Sequence, residues 1–193
     1  MRILLVLWLA ICPAAAAQLL SFGLKSGFPL NDAYSQPSNL SGISAASTNT
    51  HRYVFGPALE LHLPARFSVE ASVLYRSSEY SYTKAILNGL VHSQNTVYNL
   101  EVPIVIKREL LSGPVRPFVD AGISFRHLFL SNQGISTSPD SRGGVIGAGL
   151  LFKAGPIRIA PELRYTRWGS SPIAAPTFES VRNQSDFLIA IKF

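Results

Sequence analysis

Cysteine is almost absent: Cys12 is the only one in 193 residues, so a disulfide framework is excluded. The four histidines, His51, His62, His92 and His127, are scattered without metal-ligand spacing, and no metal or other cofactor is expected. Charge is scarce too. Only 15% of residues are Asp, Glu, Lys or Arg, which is low for a protein whose whole polar face meets water. The formal net charge is +6, but no run of Lys or Arg occurs, which argues against a nucleic-acid stripe. No apolar stretch approaches the ~20 residues of a membrane-crossing helix. Nor does a Gly-rich phosphate loop follow a strand and open a helix, since Arg142-Gly143-Gly144 simply enters a strand.

What is present begins with an export pattern. Arg2 precedes the apolar run Ile3 to Ile11, and Ala15-Ala16-Ala17 offers a small-residue cleavage site. Residues 1–17 are therefore expected to be a cleaved secretory signal peptide, and residues 18–193 a single domain without cysteine. Ile11 stands where lipoprotein signals need a small residue, which argues against lipidation of Cys12.

Eight segments alternate between apolar and polar residues, the period of an extended strand. They run Gln18–Phe28, Arg52–Leu63, Phe67–Arg76, Thr96–Arg108, Arg116–Arg126, Gly144–Lys153, Ile157–Trp168 and Ser185–Phe193. The third, for example, sets Phe67, Val69, Ala71, Val73 and Tyr75 against Ser68, Glu70, Ser72, Leu74 and Arg76. The sixth, through Gly147-Ala148-Gly149, reads in either register. Long connections (Pro29–His51, Ser77–Asn95, His127–Gly143, Gly169–Gln184) alternate with short ones at Pro64-Ala65-Arg66, Ser112-Gly113-Pro114 and Ala154-Gly155-Pro156. Ser35–Thr50 is of low complexity and is expected to be flexible.

This rhythm is that of an all-β fold, an eight-stranded antiparallel up-and-down transmembrane β-barrel with short turns at the periplasmic end. A secreted lipocalin-like barrel has the same strand number with its apolar face inward. Low charge, the tyrosines Tyr53, Tyr75, Tyr98 and Tyr165 at the strand ends nearest the long connections, and the final Phe193 favour the membrane version. Phe67, Phe152 and Phe193 mark the other ends.

The stretches Gly56–Pro64, Ser68–Arg76, Arg116–Gly122, Gly147–Leu150 and Pro161–Tyr165 resemble the bacterial outer-membrane β-barrel domain family, grouped loosely with PorT-like and OmpA/OmpX-like barrels. The resemblance implies an integral outer-membrane protein reached through the periplasm, monomeric and porin-like in build. It implies contact with outer-membrane lipids and lipopolysaccharide, while an OmpA-type wall anchor is not expected, since no periplasmic peptidoglycan-binding domain follows Phe193. In proteins of similar build a terminal aromatic helps the machinery that inserts barrels recognise the chain, so the resemblance implies an assembly-signal role for Phe193. Many such proteins have no assigned role, so the loop-binding partner stays open.

On the polar faces stand Lys25, Glu70, Arg76, Glu101, Lys107, Asp120, Arg126, Glu162 and Arg164. They read as an ion path or as salt bridges filling the lumen, and the second is favoured because eight strands enclose little more than their own side chains. A structural or surface-interaction role through the loops follows, with a small diffusion channel as an alternative. The other is a membrane-embedded lipid A deacylase, whose His-x-Ser-Asn motif is only loosely echoed by His127 and Ser131-Asn132. Along a strand, residues four apart lie ~13 Å from each other, too far for a base and its nucleophile, so no catalytic residue is assigned.

Overall fold

The computed structural model describes the backbone of residues 19–31, 34–35, 43–86, 89–130, 140–169, 174–175 and 178–193. It describes the side chains of residues 19–31, 53–77, 98–127, 141–169 and 181–193. The expected signal peptide lies outside these residues.

Eight long strands form one antiparallel sheet that closes on itself. They are β1 (Leu20–Pro29), β2 (Ile43–His62), β3 (Phe67–Ser72 continued by Leu74–Ile86), β4 (Gly89–Glu109), β5 (Val115–Leu130), β6 (Asp140–Ala154), β7 (Ile157–Trp168) and β8 (Asn183–Lys192). Each pairs with its neighbour in sequence, and β1 pairs with both β2 and β8, from Gly23↔Lys192 to Pro29↔Asp186. Closure removes the strand edges that hydrocarbon could not satisfy.

The burial pattern sorts the two faces. On β7, Glu162, Arg164, Thr166 and Trp168 are buried while Leu163 and Arg167 are exposed. The ambiguous β6 settles with Ile146, Ala148, Leu150 and Phe152 outward and Val145 and Leu151 inward. The apolar face is thus the outer one, the reverse of a lipocalin. On it Tyr53, Phe55, Tyr75 and Tyr98 form a continuous chain of rings, with centroids 6.1, 5.4 and 6.0 Å apart. Tyr165 extends the aromatic level on β7 and donates to Asn183 Oδ1 at 2.9 Å.

Strand lengths correct the sequence reading. β2 begins at Ile43 rather than Arg52, so the second half of the Ser35–Thr50 stretch is paired strand. The expected long connection Ser77–Asn95 is mostly a hairpin, paired from Ser78↔Val97 to Ile86↔Gly89. β5 and β6 also outrun their expected bounds, to Leu130 and from Asp140. Within the last long connection, Ala174–Ala175 and Phe178–Ser180 join Tyr34–Ser35 in a small separate sheet. Polar sequence on both faces hid the extensions of β2, β3, β4 and β6, because past the bilayer neither face must be apolar.

The split in β3 at Val73 has a local cause. Pro57 on β2 and Pro103 on β4 flank it, and each lacks the N–H that a regular ladder uses. Val73 N–H still donates to the Pro57 carbonyl at 3.0 Å. Gly56 completes the junction, since a Cβ there would lie 1.7 Å from the Val73 carbonyl oxygen.

The turn from β2 to β3 carries backbone strain. Ala65 (φ 60°) and Arg66 (φ 64°) occupy the left-handed region that a two-residue hairpin turn requires, yet neither is Gly or Asn. Ala65→Asn with Arg66→Gly is expected to stabilise the barrel by roughly 1–2 kcal/mol, read as a higher urea midpoint in micelles. An unchanged midpoint would show that the turn stores no strain.

Candidate functional site

The lumen is the most organised polar region of the molecule. Six buried cations (Lys25, Arg76, Lys107, Arg126, Arg164, Lys192) face six buried carboxylates (Glu60, Glu70, Glu101, Asp120, Glu162, Asp186). Period-2 alternation aims them inward, and low dielectric there makes each charge depend on an opposite one.

Two networks result. In the one nearer the short turns, Glu70 is the hub. It pairs with Lys25 and Lys192, with Lys107 at 2.7 Å and with Arg164 at 3.7 Å. Lys25 also reaches Glu162 at 2.9 Å, Arg164 reaches Glu162 at 2.6 Å, and Lys192 reaches Glu60 at 2.6 Å. In the second network, Arg76 Nη2 donates to both Asp186 oxygens at 2.9 Å, and its Nε lies 3.4 Å from Glu101. Arg126 sits 3.2 Å from Glu101, bonds Gln184, and stacks 3.7 Å over the ring of Trp168. Trp168 Nε1 donates to Gln184 at 3.1 Å.

Apolar side chains separate the two. Val54, Leu74 and Leu188 are buried together. Leu74 stands between Glu70 and Arg76 on β3, and Leu188 between Asp186 and Lys192 on β8. Phe118, Leu151, Ala160 and Ala190 form another buried apolar cluster, and Lys107 Nζ lies 4.4 Å from the Phe118 ring.

All nine polar residues singled out in the sequence are buried, and eight join these ion pairs. Asp120 differs. It lies opposite Lys107 in the ladder and against Gly147, but neither of its oxygens accepts a hydrogen bond. Glu60, Gln184, Asp186 and Lys192 were missed as network members. Their signal was there, each standing on the polar register of its strand, but three of them lie near strand ends. Strand tilt carries them across the lumen.

His127 is exposed on the outer face of β5, opposite Asp140, while Ser131 and Asn132 lie outside the described residues. Among the described residues no group of three or more His, Cys, Asp or Glu is placed to hold a metal.

A known structure shares the architecture. OprG of Pseudomonas aeruginosa matches with a TM-score of 0.59 at 11% identity, over 91% of this chain and 94% of that one. The N-terminal barrel of P. aeruginosa OprF matches at 0.42 and 12% identity, over 90% and 97%. Ail of Yersinia pestis matches at 0.45 and 12%, over 91% and 97%. No curated protein sequence is significantly similar. A family model for the outer membrane protein beta-barrel domain matches residues 16–169, from before β1 through β7. With that match joined to a closed eight-stranded barrel whose apolar face points outward, the chain belongs to the outer membrane protein β-barrel domain family and is an integral protein of a Gram-negative outer membrane.

Proposed function

We propose that the protein is a non-enzymatic, monomeric barrel with a closed lumen, whose role is a surface interaction made at the long-connection end. Residues 1–17 serve as its export leader. The observation that carries the proposal is the continuation of β2, β3 and β4 beyond the aromatic level of Tyr53, Tyr75 and Tyr98. Thr50↔Ser78 back to Ile43↔Lys84, with Ser78↔Val97 up to Ile86↔Gly89, make a three-stranded polar sheet. A contact surface already ordered as sheet avoids much of the ordering cost of binding.

The test replaces Glu79–Thr96 by an Asn-Gly turn joining Ser78 to Val97. The shortened barrel should still resist SDS and shift on heating, while partners cross-linked to intact cells are lost. An unchanged cross-link pattern would sink the proposal. Two further arms address the alternatives. Lipid A acylation altered by wild type but not by His127→Ala would establish a deacylase. Stable stepwise currents from purified protein in planar bilayers would establish a channel.

Insertion has its own handle in this reading. The Phe193 ring is 65% exposed at the short-turn rim, while its backbone N–H donates to the Phe22 carbonyl at 2.9 Å. Deleting Phe193 is expected to lower outer-membrane yield several-fold while refolding in detergent is unchanged, because one interfacial ring contributes little to stability. Equal yields after membrane fractionation would remove the recognition role.

A further inference from the structure

Two exposed arginines stand together on the outer wall at the long-connection end. Arg167 of β7 lies opposite Gly144 of β6, and the Arg142 carbonyl of β6 accepts a hydrogen bond from Gly169 N–H at 2.8 Å. They are therefore diagonal neighbours across one ladder, with Cα atoms about 7–8 Å apart. Both point away from the lumen, since Ser141, Thr166 and Trp168 beside them are buried. Glycine opposite each leaves the space between them open, and a Cβ at Gly144 would meet nothing within 4 Å. No carboxylate of the described residues bonds to either guanidinium.

Apolar grooves descend on both sides of the pair. One, of about 390 Å³, runs along Leu30, Ile146, Ala148, Leu163 and Tyr165. The other, of about 290 Å³, is polar at its head, where Arg142, His127, Ser141 and Arg126 line it, and continues along Phe125, Val102 and Leu100. The first exists because Ala148 is small among the larger outward side chains of β6. A paired cationic head site with an apolar trough on each flank is complementary to a phosphate carrying several acyl chains. Guanidinium groups favour phosphate through charge-assisted, bidentate hydrogen bonds.

We propose that Arg142 and Arg167 bind a phosphate of a lipid A-type glycolipid in the outer leaflet, with acyl chains seated in the two grooves. The long connections of outer-membrane barrels lie on the outer side, which places the pair at that leaflet's headgroup level. The site is independent of the polar sheet on β2, β3 and β4.

The test is native mass spectrometry of the barrel after incubation with bis-phosphorylated lipid A in mild detergent. Wild type should retain the lipid, and Arg142→Gln/Arg167→Gln about tenfold less, a loss of roughly 1.4 kcal/mol. Arg108→Gln, removing an exposed charge at the opposite rim, should leave retention unchanged. A heat-shift gel establishes that each variant is folded. Equal retention by the double variant, or equal wild-type retention of fully dephosphorylated lipid A, overturns the proposal. Equal retention of phosphatidylglycerol would overturn it as well, because the surface would then be a general anionic-lipid contact.

Discussion

Glu70→Gln is expected to destabilise the barrel by about 3–5 kcal/mol, the cost of leaving buried charge without its partner. The Glu70 carboxylate is shared by Lys25, Lys107, Lys192 and, at longer range, Arg164. A neutral amide keeps the shape but leaves Lys25 and Arg164 to Glu162, Lys192 to Glu60, and Lys107 without a carboxylate partner among the described residues. The double variant Glu70→Gln/Lys107→Met should recover part of the loss, since among the described residues Lys107 forms an ion pair with Glu70 alone. Urea unfolding in lipid vesicles measures both, with the buried Trp168 as the fluorescent reporter. A loss below ~1 kcal/mol, the value of a solvated surface pair, would mean that water fills the lumen.

Ile104→Arg is expected to cost about 2–4 kcal/mol, the penalty for a cation facing lipid at the bilayer midplane. Ile104 is outward on β4, midway between Tyr98 at the aromatic level and Arg108 at the opposite rim. Ile106→Arg, nearer that rim, should cost less, because the guanidinium reaches the interface by extending along the barrel wall. Equal penalties at both positions would show that the outer face is not graded by membrane depth.

The sequence made the strands within the bilayer legible because there the two faces face different media. Alternation such as Phe67-Ser68-Val69-Glu70 assigns lipid and lumen sides residue by residue. Where the medium is the same on both sides, the signal fades. Ser47-Thr48-Asn49-Thr50 reads as loop, and only its pairing with Ser78 to Ser81 makes it strand. Gly147-Ala148-Gly149 gave no register because two glycines have no side chain to sort. There, the neighbouring Asp120 and Phe118 fill the space that inward side chains would need, and so fix the register. Which lumen charges meet was not legible at all. It depends on how far successive strands slide past one another, and alternation within a single strand carries no measure of that slide.

Lys192 has a consequence for how the barrel forms. It stands at the end of β8, and its amine is held by Glu60 and Glu70, 132 and 122 residues earlier. The same strand, β8, hydrogen-bonds to β1 along the seam. Seam and charge cluster therefore complete in one event, and the contacts that complete them span most of the chain. A barrel missing its final strand would hold an excess of negative charge around Glu60 and an open edge together, so half-closed forms gain little from what they have already built. Folding is then concerted and slow, dominated by long-range contacts. The eighth strand acts as the latch on which the cooperativity of the whole wall depends.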